Sequence, residues 1–136
     1  MSKKAKVVVA YLRLSREDGN DESTSISNQR RIILEYAEKN NMKIEKFYID
    51  DGESGFSFSN RPAFNELKAD LNANKIDTII VKDLSRLGRN SGQMLTFVEN
   101  LQKDDKRLIA IGDNYDSDDE NSSDMLNINS WLGERY

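Results

Sequence analysis

The chain has 136 residues, the size of one domain with room for one sizeable core. It contains no His and no Cys, which excludes a Ser/His/Asp triad, a cysteine nucleophile, a Cys/His zinc site and a disulfide framework; any chemistry is left to hydroxyls, carboxylates, Lys and Arg. The formal net charge of −4 argues at first sight against a polyanion such as DNA, yet six acids between Asp113 and Asp124, with no Lys or Arg among them, leave 20 basic against 18 acidic groups elsewhere.

Charged residues at 32 % and hydrophobic ones at 37 %, with one proline and seven glycines, fit a globular domain better than a disordered chain. The longest apolar run, Val7 to Leu12, is six residues, too short for a membrane span or a secretory signal, so the cytoplasm is the default expectation.

Val7 to Arg13 (VVVAYLR) carries β-branched residues and no turn former, as a buried strand does, and leads into a polar loop from Ser15 to Ser25. Ser25 or Ser27 can cap a helix reaching about Asn40, with Gln29, Ile33, Tyr36 and Ala37 at helical spacing. Lys43 to Asp50 (KIEKFYID) reads as a second strand, and Asp51 to Asn60, with two Gly and three Ser, as a mobile loop. Pro62 opens a helix in which Phe64, Leu67 and Leu71 recur, closed by Asn74. Asp77 to Lys82 is a third strand; Ser91 can cap a helix bearing Met94, Phe97, Val98 and Leu101; Arg107 to Gly112 is a fourth strand. The acidic stretch from Asp113 to Asp124 reads as a solvated loop; it lacks the glycine and ligand spacing of an EF-hand. Met125, Ile128, Trp131 and Leu132 then suggest a terminal helix whose apolar side is either core or interface.

Strands alternating with amphipathic helices imply an α/β fold: three layers, α/β/α, around a mixed, mostly parallel sheet of four to five strands. Ligands of such sheets bind beyond the carboxyl ends of the strands, so the residues there matter most. The first strand ends in Tyr11, Arg13 and Ser15, spaced by two, and the second in Asp50 and Asp51. The third runs into Lys82, Asp83, Leu84, Ser85, Arg86, Leu87, Gly88, Arg89 and Asn90. Arg13, Arg86 and Arg89 could converge near a serine hydroxyl, where their planar forks match phosphate oxygens and stabilise charge developing during attack on phosphorus, with no metal strictly needed. The same residues also suit a solvated basic loop and a serine that merely turns the chain.

YLRLS with Tyr11, Arg13 and Ser15, Gln29 in SISNQ, Asp50 with Ser54 and Gly55 after it, Arg61 in NRPAF, and KDLSRLGRN from Lys82 to Asn90 together resemble the catalytic domain of serine recombinases, the resolvase and invertase group. The KDLSRLGRN form and the extended DGESG loop look most like the large transposon and phage integrase members, and the resemblance runs from residue 7 to about residue 113. It implies a resolvase-like sheet and a reaction in which Ser15 attacks a DNA phosphate, leaving a 5′ phosphoserine and a free 3′ hydroxyl, with no cofactor, metal or ATP. It implies that Arg13, Arg86 and Arg89 hold the scissile phosphate, that Arg61 joins them from a mobile segment, and that Gln29 and Asp50 support the network beside Tyr11. Ser85 departs from the many small relatives that carry aspartate there, which leaves proton transfer unassigned; Asp83 reads as a loop cap.

The resemblance further implies DNA as partner, and homodimers and tetramers, through the full-length protein. The chain is expected to be a catalytic domain cut from a longer protein, ending within or before a long dimerisation helix and lacking the DNA-binding region. Two other readings stand beside this one: a receiver or flavodoxin-like signalling module with Asp50 and Asp51 as a Mg²⁺ pocket, and a catalytically silent domain kept for assembly on DNA.

Overall fold

The computed structural model describes residues 6–14, 25–50, 61–87 and 91–118, without the side chains of residues 91 and 93. Strands β1 (Val8–Arg13), β2 (Ile44–Asp50), β3 (Thr78–Val81), β4 (Arg107–Ala110) and β5 (Tyr115–Asp116) alternate with helices α1 (Ile26–Lys39), α2 (Pro62–Asn72) and α3 (Ser91–Lys103). The sheet order is β2-β1-β3-β4-β5, with β1 to β4 mutually parallel and β5 antiparallel to β4.

Alternation along β1 separates two cores. Val9 and Tyr11 pack with Phe64 and Leu67 of α2 and with Met94, Val98 and Leu101 of α3. Val8, Ala10 and Leu12 face the other way, against Ile33 of α1. Burial on both faces is why the inner strands are unbroken apolar runs, and it gives the three layers that the sequence predicts.

Local chemistry sets the helix ends. Ser25 Oγ accepts from Asn28 N at 3.1 Å and caps α1. Past each helix the chain turns through a left-handed residue, Asn41, Asn74 and Asp105 with φ of 58°, 61° and 63°, where Asn and Asp substitute for glycine. Each turn closes on a helix carbonyl, as when Lys106 N donates to Leu101 O at 2.8 Å.

Two expectations need correction at the β4 end. The fourth strand stops at Ala110, and Ile111–Asp113 form a 3-10 turn ending at left-handed Asn114. The beginning of the acidic stretch is then no solvated loop: Tyr115 is buried, and Asp116 lies on edge strand β5, where Arg107 donates to both its carboxylate oxygens, at 3.0 and 2.7 Å. Helix α3 begins at Ser91, the residue expected to cap it. The readings at residues 15–24, 51–60 and 119–136, including the terminal helix, lie outside the described residues.

Candidate active site at the carboxyl ends of β1 and β3

The chain leaves β1 towards β2 on one side and β3 towards β4 on the other, so the carboxyl ends of the adjacent strands β1 and β3 open a crevice between diverging connections. The end of β1 brings Arg13 to this place; the segment after β3, with a 3-10 turn at Leu84–Arg86, brings Ser85 and Arg86.

These two segments lock together through arginines. Arg13 Nε donates to Arg86 O at 2.9 Å and its Nη2 to Ser85 O at 2.6 Å, while Arg86 Nη1 donates back to Arg13 O at 2.8 Å. Arg61, immediately before α2, reaches the same turn: its Nη1 donates to Leu87 O at 2.8 Å, and its guanidinium lies 4.1 Å from the centre of the Phe64 ring. Arg61 and Arg86 are 7 % and 4 % exposed. Backbone carbonyls thus orient the three guanidinium groups, and the carboxyl ends of β1 and β3 gather three cations whose direction is set by the fold.

Gln29 is fully buried and ties α1 to the end of β1: its Oε1 accepts from Arg13 N at 3.2 Å and its Nε2 donates to Arg13 O at 3.0 Å. The backbone on which Arg13 stands is thereby held on both polar sides.

Asp50, paired across the sheet with Arg13, is 7 % exposed and accepts from Tyr11 Oη at 2.7 Å, Ala63 N at 2.9 Å and Phe64 N at 3.1 Å. Arg61 makes no side-chain cap for α2; Asp50 caps it from the neighbouring strand. Burial and the Asp50 carboxylate push the Tyr11 hydroxyl far above its ordinary range, so it stays a neutral donor. With both oxygens committed to the helix start and to Tyr11, Asp50 is poorly placed as the metal ligand that the receiver reading requires. Among the described residues no group of three potential ligands is assembled for a metal.

Asp83 does not cap the 3-10 turn as the sequence suggests. Its side chain makes no cap bond, and Leu84 N donates instead to Asp113 Oδ2 at 2.6 Å. Asp83 Oδ1 accepts from Ser85 Oγ and lies 3.4 Å from Arg86 Nε, and its Oδ2 lies 3.3 Å from Lys82 Nζ. Burial raises the Asp83 carboxyl, but the Ser85 hydroxyl and the cations Arg86 and Lys82 outweigh it and hold the group below its ordinary value. Asp113 is pulled the other way, raised by burial and by the Asp83 charge.

Tyr11, Arg13, Gln29, Asp50, Arg61, Ser85 and Arg86 are therefore one connected group; Ser15 and Arg89 lie outside the described residues. Asp113 escapes sequence reasoning because it sits 29 positions from Leu84, within an acidic run that gives it no distinguishing spacing.

The model of the family described as "Resolvase, N terminal domain" matches residues 8–136. A Bacillus subtilis (strain 168) protein, named as a candidate DNA recombinase, is 30 % identical over 110 residues, 80 % of this chain and 21 % of that protein. The chain thus spans about a fifth of that relative's length. Among solved structures, the N-terminal catalytic domain of TP901-1 integrase is 29 % identical with a TM-score of 0.78, covering 95 % of each chain. A resolvase family site-specific recombinase from Streptococcus pneumoniae is 26 % identical with a TM-score of 0.76, covering 96 % of this chain and 89 % of that one. An integrase domain and a resolvase-family recombinase share this fold over nearly the whole chain, and with the family match over residues 8–136 they place it: the chain belongs to the resolvase family, through its N-terminal domain.

Proposed function

We propose that the chain is the catalytic part of a longer serine-type DNA recombinase and that Ser15 is its nucleophile. The observation that carries this reading is the convergence of Arg13, Arg61 and Arg86 on one turn at the carboxyl ends of β1 and β3, with Ser15 two residues beyond Arg13.

Ser15 Oγ attacks a backbone phosphorus of DNA. The new O–P bond forms as the bond from phosphorus to the 3′ oxygen breaks; in the net step the proton lost by the Ser15 hydroxyl is balanced by the one gained by the 3′ oxygen, which leaves as a hydroxyl, while the 5′ side stays on the enzyme as a phosphoserine ester. One ester replaces another, so the 3′ hydroxyl of an exchanged strand can reverse the step without ATP. The guanidinium groups supply charge where the phosphoryl oxygens gain it, already oriented by carbonyl acceptors, and they need little reorganisation at the moment of reaction. Arg89 adds to them, Gln29 holds the backbone of Arg13, and Tyr11 with Asp50 sets the start of α2 next to Arg61. Phosphate contacts carry no sequence information, so base reading rests on other parts of the full-length protein.

The test incubates the full-length protein with genomic DNA of its source organism, stops with detergent and assays for protein covalently attached to DNA 5′ ends. Wild type should form the adduct and Ser15→Ala should not. Arg13→Ala and Arg86→Ala should each slow adduct formation by about a hundredfold or more, as loss of a transition-state donor does. Cleavage at wild-type rates in either arginine variant, or an adduct in Ser15→Ala, would refute the assignment.

A further inference from the structure

The carboxylate of Asp83 has no part in the reaction as written above, and it does not serve the backbone of its own turn, because Asp113 takes the N–H of Leu84. Its partners among the described residues are Ser85 Oγ, Arg86 Nε at 3.4 Å and Lys82 Nζ at 3.3 Å. Arg86 Nη1 donates to Arg13 O at 2.8 Å, and the Asp83 charge lies 3.4 Å from its Nε as an ion pair, outside hydrogen-bonding geometry. Ser85 links the same carboxylate to the other arginine: its hydroxyl donates to Asp83 while its carbonyl accepts from Arg13 Nη2 at 2.6 Å. Asp83 therefore lies behind both Arg13 and Arg86.

We propose that Asp83 is a positioning residue of the site, its carboxylate holding Arg86 directly, and Arg13 through Ser85, in the orientation that receives the scissile phosphate. The phosphate part of this statement rests on the recombinase reading; the orientation of the guanidinium groups does not. The carboxylate is ionised at neutral pH, since the two cations and the Ser85 hydroxyl overcome the penalty of burial. The loop between β3 and α3 thus carries its own anion, which stops the buried arginine from swinging to another partner when no substrate is bound. Position 85 is a place from which a short side chain could offer a carboxylate to Arg86, because Ser85 Oγ already touches the oxygen that faces Arg86 Nε.

The test compares Asp83→Asn, Asp83→Ala and the double variant Asp83→Ala with Ser85→Asp in the full-length protein. The readouts are single-turnover adduct formation on genomic DNA, DNA affinity, and thermal unfolding. Because misplacing a reacting group by about an ångström can cost about a hundredfold, Asp83→Asn and Asp83→Ala should slow adduct formation by roughly tenfold to a hundredfold, with affinity for DNA changed by less than about threefold. The double variant should recover most of that loss, which a merely structural role for Asp83 would not allow. A second readout follows the Arg86 Nε–H resonance by ¹⁵N NMR: its chemical shift should move in Asp83→Asn, where the neighbouring charge is lost, and return towards the wild-type value in the double variant. Wild-type adduct rates in Asp83→Asn, or a double variant that melts like the wild type yet stays as slow as Asp83→Ala, would overturn the proposal. A wild type that forms no adduct at all would refute the recombinase reading instead, and the Arg86 resonance would still decide whether Asp83 positions the guanidinium.

Discussion

Asp50 accepts from a phenol and two peptide N–H groups drawn from two elements, and almost none of it reaches solvent. Replacing it by alanine strands all three donors in a buried place, and a stranded donor costs about 1–3 kcal/mol. Asp50→Ala is therefore expected to lose about 3 kcal/mol or more of stability in urea unfolding. Tyr11→Phe removes one donor, leaves the carboxylate two others, and should lose about 1 kcal/mol. Equal losses in the two variants would mean that the helix cap contributes nothing. Arginines show the opposite economy: Arg13 and Arg86 satisfy each other's backbone, so each is both a candidate phosphate ligand and a strut. That duality was not legible in the sequence, where arginine spacing indicates charge at a strand end but not which carbonyls will hold it. The role of Asp83 is hidden for a related reason: besides Lys82, its partners Ser85 and Arg86 are two and three positions further along, and the 3-10 turn brings them to its side chain.

At the level of elements, β1, α1, α2, β3 and α3 were legible because burial leaves a mark on each: unbroken apolar runs in β1 and β3, and a helical repeat with Ile33 in α1, Leu67 in α2 and Val98 in α3, whereas β2 is only partly buried and is marked by its length and its bounding turn residues. Strand β5 was not legible, since two residues carry no period; it is held to β4 by the antiparallel pairing of Ile109 with Asp116 and Ala110 with Tyr115, and by Arg107 on the Asp116 carboxylate. The 3-10 turn after β4 is another element without a pattern, and it comes very close to the segment after β3: Gly112 N donates to Lys82 O at 2.5 Å, and a Cβ on Gly112 would sit 2.9 Å from that oxygen. Backbone cannot yield there as a flexible side chain would. Gly112→Ala is expected to lose about 1–3 kcal/mol, the usual cost of overpacking, and to slow adduct formation because the displaced segment leads into Leu84, Ser85 and Arg86. Unchanged unfolding and unchanged adduct rates in Gly112→Ala would show that this contact is not a constraint.

For the whole molecule, the carboxylates divide by sign. Asp83 and Asp116 are held below their ordinary value of 3.8, where cations and hydrogen bonds outweigh burial, so the stability they supply is complete above that pH and is lost as pH falls through their lower folded values. Asp113 is raised, chiefly by burial, so its ionised form subtracts stability at neutral pH and the penalty fades as pH falls towards 3.8. Asp113→Asn keeps an acceptor for Leu84 N while removing the charge, and should be at least as stable as the wild type at pH 7, the difference closing near pH 4; a less stable variant at pH 7 would reverse that sign. The absence of His and Cys, first a restriction, is consistent with a group of arginines held by two aspartate networks, one buried at Asp50 and one half-buried at Asp83. The most direct measurement of the reaction is mass spectrometry of the protein–DNA adduct after digestion. A nucleotide joined through its 5′ phosphate to the peptide containing Ser15, absent in Ser15→Ala, is expected; a linkage at any other residue, or to a 3′ end, would contradict the mechanism.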